Sequence, residues 1–537
     1  MLLCVCTRNK IMKRFLTKLF SKTIVVILLL LVEALLIYAV FTFADALLAV
    51  LAKDKNATIA DELIYLAVRI IEYAIAFTIF FKIIVKVENP DFKVPWIVLM
   101  LILPLFGCFI YLVFGNHGLR KKDRLIMNAS NRACRAHFIV NEKEEKQFDK
   151  DLGDASGAFK YLKSTSGMKP HNGNRVTYYK SGEEFFPEFV NCLKQAKEFI
   201  FLEFFIIGKG HEWTAILDVL KEKAKQGVDV RIIYDDMGCV GVLPSNTPKK
   251  LKKYGIKCFK FHKFTPLLSG IYNNRDHRKI AIIDHQMAFT GGMNLADEYA
   301  NITHPFKYWK DTMIKIEGSA INNLLALFLQ NYNLCETDVE DYNKYLLYKY
   351  PTFKDEGYVM PFGDGPGPFD NALIGEQNYI NIINYAKKEL FISSPYLIPT
   401  YTLLDSLRNA ALRGVKVHLI VPGTPDKKVV YWMAETYFKY LTDAGVNIYR
   451  YTPGFNHMKT CLADNELGFV GTINLDFRSL VHHFECGALL YKNPCLKDIR
   501  KDFDEMISQS KKVPNNFKVR GIKRPICSLC KIFTPLL

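Results

Sequence analysis

Three long apolar runs lie in the first 115 residues, and no later part of the chain repeats them. Residues 24–43 are almost entirely apolar and continue more weakly to Leu51. Twenty residues at a rise of about 1.5 Å span roughly 30 Å, the thickness of a bilayer's hydrocarbon core. Glu33 interrupts the run at a cost on the order of 2.5–3.5 kcal/mol, which the surrounding Leu, Ile and Val outweigh. The run predicts an uncleaved membrane anchor, because it exceeds the apolar core of a signal peptide and a second run follows.

The second and third runs, residues 63–85 and 96–114, contain more interruptions. Arg69 and Glu72 lie three residues apart in the second run, so they share a helical face and can pair there. Pro104 and Gly107 interrupt the third run, as in kinked or re-entrant membrane elements. The three runs predict an N-terminal membrane region over residues 1–118 with two or three transmembrane helices.

Basic residues flank this region on both sides. They are Arg8, Lys10, Lys13, Arg14, Lys18 and Lys22 before the first run, and Arg120, Lys121, Lys122 and Arg124 after the third. Since Lys and Arg concentrate on the cytoplasmic side, both flanks predict the cytoplasm and therefore an even number of crossings. Three runs conflict with an even number unless one of them does not cross. We expect a multi-pass protein of the cell membrane with a cytoplasmic catalytic region.

The pattern changes after a polar linker, residues 119–173. Amphipathic helical segments then alternate with short apolar strands, as in βα units. The alternation repeats, because a helical segment ending at Gly227 leads into an apolar strand, and a second one ending at Gly414 does the same. The repeat predicts an α/β fold of two similar lobes related by pseudo-twofold symmetry, over residues 174–345 and 346–537, the second ending in an apolar tail.

Charge and cysteine content narrow the class of partner. The chain has 71 Lys and Arg against 54 Asp and Glu, a net charge of +17, which favours nucleic acid or an anionic membrane. The 13 cysteines show no disulfide framework, as expected in a reducing compartment. Cys527 and Cys530 have C-x-x-C spacing without a second pair or nearby histidines, so we interpret them as apolar residues of the tail rather than zinc ligands.

Each half of the repeat carries one matching motif. Each motif contains a histidine, a lysine two residues later, an aspartate, and an asparagine 17 residues after the histidine; the two copies lie 180 residues apart. The first copy is His277, Lys279, Asp284 and Asn294, and the second is His457, Lys459, Asp464 and Asn474. Chance rarely produces two such copies inside a matching repeat, so we predict one site built from both halves.

The residue types in these motifs suit phosphodiester chemistry. Residues i and i+2 of a strand face the same way, so each motif directs an imidazole and an ammonium group into one pocket. One neutral histidine attacks phosphorus while the other, protonated, gives its proton to the leaving alkoxide. The lysines stabilise the phosphate oxyanion and the asparagines donate to the same oxygens, so we predict no metal and no cofactor. The motif aspartates complete the six catalytic motif residues, but they end their strands, and we expect them to point away and support the fold.

These segments resemble the H-x-K-x4-D-x6-G-[SG]-x-N signature of the phospholipase D superfamily. The continuations 291–299 and 471–479, and the segment 104–115, are similar to those of bacterial cardiolipin synthases. The resemblance implies transfer of a phosphatidyl group between two phosphatidylglycerol molecules, giving cardiolipin and glycerol. It also implies that a downstream carboxylate orients each histidine, at Asp311 and Glu485. By analogy with the superfamily, His277 is the nucleophile and His457 the acid and base.

One departure and several alternatives accompany this interpretation. Gly292 and Thr472 stand where the superfamily often has serine, so the first half lacks a hydroxyl at that position. A hydrolytic phospholipase D with the same site is the main alternative, a nucleic-acid phosphodiesterase is a second, and an inactive lipid-binding paralogue a third. The membrane runs favour an anionic phospholipid as partner and disfavour nucleic acid. The sequence leaves the oligomeric state open.

Overall fold

The computed structural model describes Ala39 and residues 59–87, 89–115, 118–263, 273–336, 341–346, 348–354, 356–366, 372–519, 521 and 523–532. The chain divides into two compact units. Of the described residues, one unit contains Ala39 and those between 59 and 115, and the other contains those from 118 to 532. Apart from Ala39, the first predicted membrane run lies outside the described residues.

The described part of the N-terminal unit is helical, with α1 (Ile59–Val85), α2 (Pro90–Ile102) and α3 (Pro104–Phe114). Within α1, Arg69 Nη1 donates to Glu72 Oε2 at 2.8 Å, which is the pairing that their spacing predicts. In the described residues, none of the helices has both the length and the apolar character needed to span a bilayer.

The third apolar run does not form one continuous helix. The chain breaks at Leu103, because Pro104 has no N–H for a continuing helix and disfavours a helical residue before it. The two helices then pack closely at Gly107, where an added Cβ would lie 2.9 Å from Met100 Cα. Residues 96–114 therefore form parts of a helical hairpin.

Residues 119–173, predicted as a linker, instead fold into helices within the second unit. They are α4 (Lys121–Ala136), α5 (Glu142–Leu152) and α6 (Ser156–Ser166), followed by the short strand β1 (His171–Asn172). Several of their apolar side chains are nevertheless buried, including Met127, Cys134, Phe159 and Leu162. The prediction was wrong because high polarity obscured a narrow apolar stripe along each helix.

The strands of the second unit form two large sheets. The first sheet has the order β2-β9-β7-β6-β3-β4-β5. Its strands are β2 (Arg175–Tyr179), β3 (Phe199–Phe204), β4 (Asp229–Asp235), β5 (Lys257–Phe261), β6 (Lys279–Ile283), β7 (Met287–Gly291) and β9 (Met313–Glu317). Strands β3, β4 and β5 are parallel, whereas the pairs from β2 through β6 to β3 are antiparallel. The helices α7 (Gly182–Lys194), α8 (His211–Lys225) and α9 (Thr247–Lys252) connect its strands.

The second sheet repeats this arrangement and extends it by one strand at each edge, in the order β1-β10-β19-β17-β16-β11-β13-β14-β20. Its remaining strands are β10 (Tyr358–Asp364), β11 (Glu389–Ser393), β13 (Lys416–Pro422), β14 (Asn447–Tyr451), β16 (Thr460–Ala463), β17 (Leu467–Gly471), β19 (Glu485–Tyr491) and β20 (Ser510–Lys512). Its helices are α12 (Ile374–Tyr385), α13 (Tyr401–Leu412), α14 (Lys428–Thr442), α15 (Leu496–Ser508) and α16 (Lys523–Ile532). The mixed α/β fold and its duplication agree with the prediction from the repeat.

The two lobes share one hydrophobic core. Ile280 and Ile282 of the first sheet belong to the same buried cluster as Phe469 and Leu489 of the second. Helix α10 (Ile321–Cys335), which is followed by the short α11 (Asn343–Leu346), supplies a run of buried side chains to this cluster. Burial of apolar surface from both sheets in one cluster makes the lobes depend on each other for stability.

Short strands also pass between the lobes. Strand β15 (Gly454–Asn456) of the second lobe pairs in parallel with β8 (Tyr308–Lys310) of the first. Strands β12 (Leu397–Ile398) and β18 (Leu475–Asp476) form a further small pair. The β8–β15 pair brings the residues just before His457 alongside those just before Asp311.

Candidate active site

Both motif histidines lie in tight turns just before their strands, rather than within the strands as expected. The side chain of Asp276 accepts the N–H of Arg278 at 3.2 Å, and Asn456 accepts that of Met458 at the same distance. Such turns are a common use of Asp and Asn side chains. Each of these hydrogen bonds joins the residue before the histidine to the residue after it, and thereby fixes the backbone on both sides of the histidine.

The backbone of each histidine is held by the opposite lobe. His277 N donates to Phe484 O at 2.8 Å, and His457 N donates to Lys310 O at 2.7 Å. The acceptors immediately precede Glu485 and Asp311, so each bond places a carboxylate of one lobe beside a histidine of the other.

The carboxylates therefore pair with the histidines in a crossed arrangement. His277 Nδ1 lies 2.9 Å from Glu485 Oε2, and His457 Nδ1 lies 2.6 Å from Asp311 Oδ2. An ionised carboxylate only accepts hydrogen bonds, so each contact places the proton on Nδ1 and leaves the Nε2 lone pair free for chemistry. The order along the chain suggested that Asp311 would pair with His277 and Glu485 with His457, but each carboxylate pairs with the histidine of the other lobe.

The surroundings of the two carboxylates differ. Glu485 accepts hydrogen bonds from the hydroxyls of Thr472 and Ser479 in its own lobe, the latter at 2.7 Å. Asp311 Oδ1 accepts the N–H of Thr312 at 2.8 Å, and its carboxyl fills the space beside Gly292. A Cβ at Gly292 would lie 2.0 Å from Asp311 Oδ1, so the glycine makes room for the carboxylate.

Both motif lysines are fully buried at the site. Lys279 Nζ donates to His277 O at 2.7 Å, and Lys459 Nζ donates to His457 O and lies 2.8 Å from His457 Nδ1. Burial, offset in part by nearby carboxylates, lowers the pKa of Lys279 to about 8. Burial lowers the pKa of Lys459 to about 7, although Asp311 opposes the change. These buried cations are poised to receive an anion.

The charge state of the histidines follows from the same surroundings. Burial lowers the pKa of His277 well below its ordinary value, and the positive charges of the two motif lysines add to the decrease. Burial and the same lysines also lower the pKa of His457. Each lysine acts on the histidine of the other lobe, so the four side chains occupy one site. Both imidazoles are therefore neutral in the free protein at neutral pH.

Aromatic rings distinguish the two halves of the site. Tyr299, Trp309 and Phe455 lie with ring centroids 5.6, 5.4 and 5.6 Å from that of His457. Around His277 the nearest rings are those of Phe205, at 5.0 Å, and His483, at 5.4 Å. The side of the pocket around His457 is therefore more apolar than the side around His277.

One group of side chains has the spacing of a metal site. Ligand atoms of His277, His483 and Glu485 all lie within 4.8 Å of one another. The Glu485 oxygens, however, already accept hydrogen bonds from two hydroxyls, and two buried lysines share the pocket. A divalent cation would face that positive charge, whereas a phosphate would be attracted by it.

Comparisons with known proteins agree with this geometry. Residues 189–326 and 379–507 match the family described as cardiolipin synthase, PLD-like domain, and residues 74–116 match the phospholipase D-nuclease N-terminal family. Cardiolipin synthase 1 of Bacillus cereus is 30% identical over 472 residues, covering 85% of this chain and 91% of that protein. The chain belongs to the cardiolipin synthase family. An uncharacterised protein of Streptococcus mutans is 39% identical over 448 residues, covering 83% of this chain and 96% of its own length.

A solved structure supports the fold independently. The phosphatidylserine synthase of Haemophilus influenzae superposes with a TM-score of 0.55 at 16% identity, covering 71% of this chain and 97% of that one. Such low identity supports the two-lobe architecture alone. The finer comparison with cardiolipin synthases rests on the sequence matches.

The motif aspartates of this cardiolipin synthase homologue lie away from the paired histidines and lysines. Asp284 accepts hydrogen bonds from the backbone N–H groups of residues 197–199 at 2.8–2.9 Å, and Asp464 accepts those of residues 387–389 at 2.7–2.9 Å. Both aspartates have positive φ, at 50° and 51°, in the turn after their strand. Each carboxylate ties its turn to the start of a neighbouring strand.

The motif asparagines are both buried, but their contacts differ. Asn294 Oδ1 accepts the N–H of Ile206 at 3.0 Å, and its Nδ2 donates to Tyr299 Oη at 2.6 Å. Among the described groups, none donates to Asn474 Oδ1. One amide hydrogen of Asn294 is thus used to hold Tyr299 beside His457, and phosphate binding by these asparagines stays a prediction.

The sequence motifs did not predict several residues that line the site. Thr472 departs from the superfamily signature, and Ser479 and His483 lie outside the motif positions. Each of two rings lies two residues before an orienting carboxylate, His483 before Glu485 and Trp309 before Asp311, and each lies 5.4 Å from the motif histidine of its own half-site. That shared position could have identified both rings.

Gly292→Ala is expected to lower the turnover of the cardiolipin synthase site about 10- to 100-fold with little change in KM, because the new Cβ displaces Asp311 and misaligns His457. Steady-state kinetics in mixed micelles measures the effect. Gly157→Ala is the matched control, since a Cβ at Gly157 meets nothing within 4 Å. Equal kinetics for the two variants would contradict the role given to the space beside Gly292.

Proposed function

We propose that this chain is a cardiolipin synthase that transfers a phosphatidyl group from one phosphatidylglycerol molecule to another, releasing glycerol. The crossed pairing of two histidines with two carboxylates, beside two buried lysines, carries the proposal. Cardiolipin synthases among its relatives support the choice of lipid. A site of this composition suits an anionic phosphodiester with an alcohol as both leaving group and acceptor.

The first half of the reaction forms a covalent intermediate. His277 Nε2 attacks the donor phosphorus, an N–P bond forms, and the P–O bond to the headgroup glycerol breaks. His457 gives its Nε2 proton to the departing alkoxide, so glycerol leaves neutral. Binding of the anionic phosphate near His457 favours the imidazolium that this step requires.

The second half reverses these roles. His457 takes the proton from the headgroup hydroxyl of a second phosphatidylglycerol, and that oxygen attacks phosphorus. The N–P bond to His277 breaks, giving cardiolipin and the starting enzyme. Lys279 and Lys459 stabilise the charge on the phosphoryl oxygens in both transition states, with Asn294 and Asn474 as further donors.

Water is the competitor that separates a synthase from a hydrolytic phospholipase D. The rings around His457 form an apolar wall on the side where the alcohol binds in this scheme. Such a wall disfavours water and tolerates a lipid acceptor. This contrast favours synthesis over hydrolysis.

The membrane setting belongs to the same proposal. An N-terminal region with two or three transmembrane helices would hold the enzyme at the cell membrane, and basic flanks would keep the catalytic unit in the cytoplasm. The anionic headgroups of that membrane are then both substrate and binding surface. No nucleic-acid partner is needed to account for the charge of +17.

Product analysis tests the proposal directly. The full-length protein, purified and reconstituted with phosphatidylglycerol, should give cardiolipin and equimolar glycerol on thin-layer and enzymatic analysis. His277→Ala and His457→Ala should give neither product, whereas His211→Ala, at a side chain 73% exposed, should behave as wild type. Phosphatidic acid as the only product would identify a hydrolase, and cleavage of a labelled oligonucleotide would revive the nucleic-acid alternative.

The lysines predict an alkaline limit to activity. The pKa values of about 7 and about 8 mean that the free enzyme loses its ammonium charges as pH rises through this range. We therefore expect kcat/KM, which reports the free enzyme, to fall above about pH 7–8. The limit on kcat should lie at higher pH, because a bound phosphate stabilises the ammonium form. A pH–rate series at saturating and limiting lipid measures both, and a flat kcat/KM up to pH 9 would contradict the assignment.

A further inference from the structure

Two buried acidic side chains lie directly behind the first half-site. Glu203 on β3 and Asp276 in the turn before His277 are both fully buried. Glu203 Oε1 accepts a hydrogen bond from Asn331 Nδ2 at 2.7 Å, and Asp276 Oδ1 accepts the N–H of Arg278. Their second oxygens, Oε2 and Oδ2, are buried and have no donor among the described groups. The two carboxyls lie within hydrogen-bonding reach of each other.

Two carboxyl groups that share a hydrogen bond need a proton between them, because both oxygens are otherwise acceptors. Burial raises the pKa of Glu203 to about 7, and burial together with the Glu203 charge raises that of Asp276 well above its ordinary value. The close approach of the two carboxyls and the increase in both pKa values indicate that the pair retains one proton at neutral pH. The pair then carries a single negative charge.

Arg278 provides the matching positive charge. Its side chain is 1% exposed, and its Nε donates to Glu485 O at 3.3 Å while Nη1 donates to Leu327 O at 3.0 Å. Arg278 therefore connects the acidic pair to the backbone of the residue that orients His277. Further charged or titratable groups close to the pair are Asp235, Arg275, Lys279 and Cys335.

The second half-site has a neutral pair in the equivalent place. Ser393 takes the position of Glu203. Glu203 pairs with Ile280 of the first sheet, and Ser393 pairs with Thr460, which lies 180 residues after Ile280 in the second copy of the repeat. Asn456 takes the position of Asp276 and forms the same turn. Its Nδ2 donates to Ser393 Oγ at 2.8 Å, and Met458 replaces Arg278. The same turn therefore forms without an acidic residue. We conclude that the charge of the Glu203–Asp276 pair has a role that is specific to the half-site of His277.

We infer that Glu203 and Asp276 form a proton-sharing positioning pair for His277, which acts through Arg278 and the backbone of Glu485. The pair touches neither substrate nor reacting atoms. Its single charge neutralises Arg278 in the closed core, and this holds Glu485 against His277. The half-site of His457 has no such pair, so the two otherwise similar halves differ in their response to pH.

Infrared difference spectroscopy on the full-length protein in detergent tests the shared proton. At about pH 8, wild type minus Asp276→Asn should show the C=O stretch of a protonated carboxyl that shifts in D2O, unlike lipid ester bands. The double variant E203S/D276N, which copies the pair of the second half-site, should lack the same band. Glu188→Gln, at a side chain 41% exposed, is the matched control and should leave the band in place. Absence of the band from the difference spectrum would overturn the proposal.

A kinetic experiment tests the positioning role, and this part rests on the proposed function. Below about pH 7 the wild-type pair becomes fully protonated and loses its charge, whereas the serine–asparagine pair does not titrate. The rate of phosphohistidine formation in wild type, divided by that in E203S/D276N, should fall at least about fivefold from pH 7.5 to pH 5.5. Division cancels the contributions of the lysines and histidines that both proteins share. A constant ratio would refute the positioning role, while loss of cardiolipin synthesis in wild type would refute the function and leave the infrared result intact.

Folding is checked for each variant by circular dichroism and thermal unfolding. If Asp276→Asn does not fold, E203S/D276N carries the same test, because the chain already accommodates this pair in its other lobe. Since the pair binds its proton more tightly in the folded protein, its ionisation lowers wild-type stability as pH rises through about 7. The thermal midpoint of the double variant should lack this decrease.

Discussion

Replacing His277 by asparagine is expected to abolish the covalent phosphatidyl–enzyme intermediate and to lower transfer by a factor of about 10³ or more, since no other group replaces the nucleophile. Replacing His457 by asparagine should have a different effect. The nucleophile remains, so a donor with a good leaving group, such as a nitrophenyl ester, still forms the intermediate. Without the base, the intermediate then reacts slowly with the acceptor and accumulates.

A single-turnover experiment separates the two variants. Each protein is mixed with phosphorus-labelled activated donor, quenched in alkali to preserve phosphohistidine, and digested for peptide mass spectrometry. Label should appear on the peptide that contains residue 277 in wild type and in His457→Asn, and in neither case on residue 457. His211→Asn serves as the control for histidine replacement at a distance. Label on His457 in the His277→Asn protein would reverse the two roles.

The duplicated motif allowed much of the site to be predicted from the sequence. Equal spacing in two copies identified His277, Lys279, His457 and Lys459, because duplication makes chance agreement rare. The same repeat predicted two similar α/β lobes, and the fold agrees with it. Periodicity and spacing can be read within a short segment of sequence, and both the motif residues and the α/β character of the lobes are expressed in them.

The crossed pairing could not be predicted in this way. Spacing along the chain places Asp311 after His277 and Glu485 after His457, whereas the contacts join Asp311 to His457 and Glu485 to His277. Which carboxylate reaches which imidazole depends on how the two sheets pack, and no single segment encodes that. The acidic pair of Glu203 and Asp276 is a similar case, since the two residues lie 73 positions apart in the sequence but interact in the folded protein.

The helices of residues 119–173 illustrate a further limit. Their composition is strongly polar, and only a narrow stripe of apolar residues is buried. Such a narrow stripe indicates a packed helix only when the surface against which it packs is also known. Asp284 and Asp464, by contrast, end their strands, where a side chain leaves the face of the pocket, and their carboxylates accept backbone N–H groups of neighbouring segments.

Exchange of the orienting carboxylates for amides should separate the two half-reactions. We expect Glu485→Gln to slow formation of the intermediate about 10²- to 10⁴-fold even with an activated donor, because an amide can donate to Nδ1 and thereby favour the wrong tautomer of His277. Asp311→Asn should spare this step with the activated donor and slow the transfer to phosphatidylglycerol by a similar factor, because it acts on His457. Burst amplitude and the subsequent decay of the phosphohistidine measure the two steps.

The crossed geometry makes this outcome specific. If each carboxylate served the histidine of its own lobe, Asp311→Asn would block formation of the intermediate and Glu485→Gln would block its consumption, the reverse of the expected result. Both substitutions preserve side-chain volume in a fully buried position, so a loss of packing cannot mimic the exchange of phenotypes. Thr472→Val provides an internal check, since it removes a hydroxyl that donates to Glu485 and should weaken the first step alone. The two lobes then contribute to catalysis reciprocally, with each carboxylate controlling the chemistry of the histidine in the opposite lobe.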